Sequence, residues 1–221
     1  YERFTVTQPQ FSAAYREATL RRINFFRAMA GLPADIALDP DLSPKCQRVA
    51  LMMIAEGNLS TSPPPSWGCY TAEGAEAAGN CNLIIGRHGP TAIDYYIADI
   101  GEANYYVGHR RLVLFPPQKT MGTGSTTATN GPFDGSNALW VAGPFGPRPA
   151  TPEYVAWPPA GYVPYEIIYD RWSFSYPEAD FSGASVTMSV EGAGDPSLDI
   201  LPLKTDHVDN TLVWEPDYWV P

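Results

Sequence analysis

Charge is scarce in this chain, at 17% of 221 residues, and histidine and cysteine occur only three times each. Hydrophobic residues make up 44%. That balance excludes a disordered chain and predicts a compact globular protein. At this length folding buries well over half of the unfolded surface, so a substantial core is expected. Basic residues number 14 against 24 acidic ones, for a net charge of −10. An acidic surface repels phosphate backbones, which excludes nucleic acid as a partner. It also gives no attraction to anionic lipid. No apolar run reaches the roughly 18 residues of a membrane span, so no transmembrane segment is expected. The chain begins at Tyr1 without a signal peptide, as expected of a processed or trimmed polypeptide.

Familiar motifs are missing as well. There is no Cys-x-x-Cys pair, which disfavours a zinc knuckle or a thioredoxin-like site. Glycine-rich dinucleotide and phosphate loops are absent, and so is the G-x-S-x-G nucleophile turn. No internal repeat is visible. Proline (23) and tyrosine (13) are abundant while lysine is scarce, which suits a rigid, loop-rich extracellular surface. An odd cysteine count there means one disulfide and one thiol, or three thiols.

Periodicity then supplies elements. "SAAYREATLRRINFFRAMA" (12–30) reads as a helix, with Ser12 as N-cap and Tyr15, Thr19, Ile23, Phe26 and Ala30 on one stripe. Gly31 and Pro33 end it. "DPDLSPKCQRVALMMIAEG" (39–57) reads as a second, capped by Ser43 and closed by Gly57. "STSPPPSWGCYT" excludes regular structure, because consecutive prolines lack donors. "TAIDYYIADIG" (91–101) predicts a short third helix. Strands are expected at "RLVLF" (111–115), "NALWVAG" (137–143), "ASVTMSV" (184–190) and "TLVW" (211–214). The aromatic, proline-rich stretch 144–165 carries Tyr154, Trp157, Tyr162 and Tyr165, which predicts an ordered segment packed on the core. Helices come first and strands later, which predicts α+β layering and excludes a Rossmann fold.

The order of "RRINFFRAMAGLP", "LDPDLSPKCQRVALMM", "LSTSPPPSW", "AGNCNL", "AIDYYIAD", "VGHRR" and "MGTG" resembles the CAP superfamily. That family groups cysteine-rich secretory proteins, antigen 5 and pathogenesis-related-1 proteins. "VAWPPAGYVPY" and "RWSFSYPEADFSGASVTMSV" resemble a C-terminal extension of its bacterial-type branch. The resemblance implies a three-layer α-β-α sandwich with a proline-rich, strand-containing extension. It also implies a secreted or cell-surface location. One SCP-like domain is expected over 1–221, helix-rich at 12–110 and strand- and proline-rich at 111–221.

The resemblance further implies a cleft of two histidines and two acids that holds a divalent metal in some members. The histidine of its "GH[YR]" motif matches His109. The acid three residues after an aromatic matches Asp99, with Tyr96 as the aromatic. The glutamate of "G-E-N" matches Cys81, and the first histidine matches Thr61. Two of four positions therefore depart from the pattern. A zinc site usually needs three or four protein ligands, so His109 with Asp99 is a poor one unless Cys81 joins as thiolate. Zinc is thus disfavoured as a cofactor. The favoured expectation makes His109 a structural residue hydrogen-bonded near Asp99. A Cys81–His109 nucleophilic dyad is the catalytic alternative. Cys69–Cys81 and Cys46–Cys69 are both allowed disulfides, with a preference for Cys46–Cys69 and a free Cys81.

Other residues have ordinary readings. Arg110 and Arg111 are expected in buried ion pairs with Asp99, Glu102 or Glu76. His88 is expected exposed in a turn, and His207 in a polar loop. "NGPFDGSN" (130–137) lacks the spacing of a calcium loop, so a turn is expected. Three function classes follow: a non-enzymatic extracellular module binding a protein, lipid or sterol; a metal- or Cys/His-dependent hydrolase; and a surface or filament component. The depleted cleft favours the first and third.

Overall fold

The computed structural model describes residues 13–128, 132–150 and 152–217. Its elements are α1 (Ala13–Met29), β1 (Ala37–Leu38), α2 (Leu42–Glu56), α3 (Ala72–Ala78), β2 (Cys81–Ile85), α4 (Gly89–Ala98), α5 (Gly108–Val113), β3 (Thr120–Thr127), β4 (Gly135–Trp140), β5 (Val155–Trp157), β6 (Trp172–Tyr176), β7 (Leu198–Ile200) and β8 (Asn210–Pro216). This is the expected α+β class, with strands in the C-terminal part. The chain divides into two compact units. The first holds residues 1–24, 35–93 and 118–146, and the second holds 25–34, 94–117 and 147–221.

The first unit is built on α2 and a four-stranded sheet of order β1-β3-β4-β2. β1 pairs with β3 in parallel; β3 with β4 and β2 with β4 are antiparallel. The strand "TMGTGSTT" carries little apolar surface, yet every residue from Met121 to Thr126 is buried. Its glycines explain why. A Cβ on Gly124 would lie 2.1 Å from Gln47 N and 2.3 Å from Cys46 C, and one on Gly122 would lie 2.7 Å from Leu42 Cβ. The β3 backbone thus rests directly on α2. The Gln47 side chain fixes the register by donating to Ser125 O at 2.6 Å and accepting from Ser125 N at 3.2 Å. Behind it, Cys46, Val49, Met53, Ala77, Ala78, Leu83, Ala138 and Trp140 form an apolar cluster.

The second unit carries an antiparallel sheet of order β5-β6-β8-β7. Trp157 on β5 is buried against Phe26, ring centroids 5.4 Å apart, and its Nε1 donates to Ile167 O. Arg27 is also buried. Its guanidinium donates to the carbonyls of Pro33, Val113, Phe115 and Pro116.

Several expectations need correction. Residues 111–115 are no strand; Arg111–Val113 belong to α5 and the rest to the turn that ends it. Short apolar runs are ambiguous between helix and strand, and here the helix carries Arg110 and Arg111 to backbone carbonyls of Ile97 and Lys204. Residues 184–190 form no ladder, although Val186, Met188 and Val190 alternate as half-buried positions with exposed neighbours. Ser43 lies inside α2 and donates to Asp39 O, while the Asp39 carboxylate accepts from the N–H groups of Asp41 and Leu42. Gly57 ends α2 in the left-handed region at φ 68°, as expected. Trp157 is buried as expected, Tyr154 stacks on Phe174 at 5.0 Å while staying 46% exposed, and Tyr162 and Tyr165 are exposed instead of packed. Ser12, Asn130, Gly131 and the terminal Tyr218–Pro221 lie outside the described residues.

Candidate functional site

His109 lies in the second unit, on the first turn of α5. Two backbone features position it. Asp99, directly after α4, takes φ 53°, and Val107, directly before α5, takes φ 48°. Left-handed backbone is costly for a β-branched residue, and such outliers cluster where a site demands a fixed geometry. Gly108 permits the turn: a Cβ there would lie 2.4 Å from the Tyr106 ring.

The Asp99 carboxylate is enclosed and fully engaged. Its Oδ1 accepts from His109 Nδ1 at 2.6 Å, and its Oδ2 accepts from Arg110 N at 3.1 Å. The second bond caps a helix whose own N-cap residue is a valine, and the negative charge suits the helix N-terminus. The imidazole is 29% exposed while the carboxylate is 0% exposed, so solvent reaches the ring and not the acid. Tyr96 flanks the ring with centroids 5.5 Å apart.

Arg110 closes the arrangement from inside. Its Nε donates to Ile97 O at 2.6 Å and its Nη1 to Arg171 O and Ser173 Oγ, both at 2.9 Å. It therefore satisfies a carbonyl that the end of α4 leaves unpaired and ties that end to β6. Burial pushes its pKa down to about 10, against the pull of Asp99, so it stays charged near neutrality. Arg171 donates in turn to Asp99 O at 2.6 Å and Gly101 O at 2.8 Å. Arg111 is buried too, with its guanidinium on the carbonyls of Lys204 and Asp209. The expected ion pairs of Arg110 and Arg111 with Asp99, Glu102 or Glu76 are replaced by bonds to backbone carbonyls and Ser173 Oγ; Asp99 meets Arg110 only at its backbone N–H, and Glu76 instead binds Lys45.

The remaining candidate positions lie in the first unit. Cys81 opens β2 with its Sγ 3.6 Å from Cys46 Sγ. Burial, then the hydrogen bond to Cys46, pushes the Cys81 thiol well above its ordinary value. Thr61 is exposed at a bend. All three cysteines are free, which corrects the expected Cys46–Cys69 bridge. Cys69 is exposed in a left-handed turn at φ 57°, whereas Cys46 is buried in the core beside Cys81. His88 is half-buried and bonded to the Tyr15 hydroxyl, so it is not the exposed turn residue expected.

His207 lies in a loop as expected, but its contact with the His109 turn was not foreseen. Its Nε2 donates to Gly108 O at 3.3 Å, and its ring stands edge-on to Tyr106 at 5.7 Å. Lys204 Nζ sits 5.0 Å over the same Tyr106 ring. Burial first, then Arg111, lowers the His207 pKa. No local signal marks this contact, because 99 residues separate the partners. Among the described residues no group of three or more His, Cys, Asp or Glu side chains gathers into a metal-binding set.

A family profile described as the cysteine-rich secretory protein family, CAP, matches residues 20–143, more than half of the 221-residue chain. The chain belongs to the CAP family. A comparison with curated proteins returned no match. The CAP match contains His109, Asp99, Cys81 and Thr61 and stops before β5. The partners that hold the His109 turn, Arg171, Ser173 and His207, therefore come from outside the matched CAP segment.

Proposed function

We propose that this CAP-domain protein is an extracellular, non-enzymatic binding module of the bacterial-type branch, with its C-terminal extension integral to one domain. The observation that carries the reading is the Asp99 carboxylate, whose two oxygens are spent on His109 Nδ1 and Arg110 N. A carboxylate so engaged and enclosed orients an imidazole and caps a helix; it offers little to a metal or a substrate. The family's divalent metal does not fit this donor set. Thr61 brings no imidazole, and Cys81 does not gather with His109 and Asp99 into a ligand set among the described residues. Burial raises the Cys81 pKa, which counts against it as a nucleophile.

Two further observations support the reading, one for binding and one for a single domain. Tyr154, Tyr162 and Tyr165 stand exposed along the proline-rich segment, and rigid aromatic side chains are the ones that contribute most at protein contacts. The second unit also joins residues 94–117 of the CAP match to 147–221 of the extension. An extension that shares a folding unit with the His109 turn supports a single domain.

The test is hydrolysis of fluorogenic ester and peptide substrates by reduced wild type and by His109→Ala. The reading predicts no turnover in either. Turnover lost in His109→Ala would establish a hydrolase in its place.

A further inference from the structure

We propose that Cys46 and Cys81 form a reversible disulfide under oxidising conditions, leaving Cys69 as the reactive thiol of the protein. The proposal goes beyond the binding reading and does not depend on it. Three observations carry it. The two sulfurs lie 3.6 Å apart, so closure to a bond of about 2.05 Å needs a shift of roughly 1.5 Å. Both residues sit on elements that hold their place. Cys46 is in the second turn of α2, where β3 rests directly on the Cys46–Gln47 backbone through Gly124. Cys81 opens β2 in register with Trp140 of β4, and the Cys46 side of that contact is the apolar cluster of the first unit. Finally, the three cysteines differ in access: Cys46 is buried, Cys81 half-buried and Cys69 exposed.

The chemistry is thiol–disulfide exchange with a small disulfide such as oxidised glutathione. The half-buried Cys81, as thiolate, attacks one glutathione sulfur, and the first glutathione thiolate leaves. Cys46 then loses its proton and attacks Cys81 Sγ, and the second glutathione leaves. Two protein thiols and one glutathione disulfide become one protein disulfide and two glutathione thiols, a two-electron exchange. Burial holds Cys81 protonated, so capture by the folded protein is slow and is favoured at alkaline pH. The bond would staple α2 to β2 across 35 residues of sequence. Closing a loop of that size is expected to raise Tm by roughly 10 °C in a protein of this length. It would also remove Cys81 from any nucleophilic or metal-binding part.

The deciding experiment uses Cys69→Ser, which changes an exposed residue and leaves the pair intact. The full chain is incubated with oxidised glutathione at pH 8.5, unfolded, and its thiols counted. The proposal predicts a fall from two thiols to none, a mass 2 Da lower, and a Tm that drops again on reduction. Two thiols persisting after oxidation would overturn it. Wild type supplies the second arm: a non-reducing digest should link the Cys46 and Cys81 peptides and leave Cys69 outside that link, alkylated or carrying one glutathione. A linked peptide containing Cys69 would equally overturn the assignment.

Discussion

His109 Nδ1 donates to Asp99 Oδ1 at 2.6 Å, and the same carboxylate caps α5 through Arg110 N. One acid therefore sets the His109 ring and the start of the helix that carries it. The guanidinium of Arg110 lies in the same enclosed setting, and Asp99 helps to hold its charge. Asp99→Ala removes the cap on α5 and the partner of His109 while the Arg110 guanidinium keeps its carbonyl acceptors. It is expected to lower unfolding free energy by about 1–3 kcal/mol. Denaturant unfolding checks this, and a change under about 0.5 kcal/mol would show that the carboxylate holds neither the ring nor the helix start.

Arg110→Lys tests the planar fork. Lysine keeps the charge but cannot reach Ile97 O, Arg171 O and Ser173 Oγ together. Leaving buried acceptors unpaired should cost about 1–3 kcal/mol. Hydrogen exchange should localise the loss to the end of α4 and to β6. Uniform protection across both elements would contradict the tie.

Gly124→Ala tests the contact between β3 and α2. The added methyl would meet backbone atoms of Cys46 and Gln47 at 2.1–2.3 Å, and neither can rotate away. A loss above about 3 kcal/mol, or failure to fold, is expected from overpacking of this kind. A Tm within 2 °C of wild type would show that α2 and β3 are not in backbone contact.

His207 predicts a pH dependence. Its folded pKa lies below the ordinary histidine value because of burial and Arg111, with Asp206, Lys204 and the Gly108 carbonyl also facing it. The unfolded chain therefore binds this proton more readily. Its contribution is full above the unfolded value near 6.5 and is lost as pH falls through and below it. Stability measured at pH 7.5 and pH 5.5 should drop in wild type, and His207→Gln should flatten that part of the slope. An unchanged slope would remove His207 from the account.

Much of the first half was legible in the sequence, because its signals are local. The α1 stripe, the Gly57 stop of α2 and the proline loop each depend on a few adjacent residues. So did the pairing of His109 with Asp99, which a family motif and a helix end brought together. What stayed hidden was non-local. β3 carries no apolar alternation to mark it as a strand, and its glycines are explained only once α2 is laid on them. α5 reads as a strand until Arg110 and Arg111 are seen to reach backbone carbonyls 13 to 98 residues away. His207 and the Cys46–Cys81 contact depend on chain separations of 99 and 35 residues. Composition at either end carries no trace of them.

The central claim is that Asp99 spends both carboxylate oxygens on positioning His109 and α5, so this CAP chain keeps the pair without a metal centre. Calorimetric titration of Zn²⁺ into chelator-treated, reduced protein tests it most directly, with wild type beside His109→Ala. The account predicts no tight stoichiometric binding in either protein. Tight one-to-one binding by wild type that disappears in His109→Ala would contradict it.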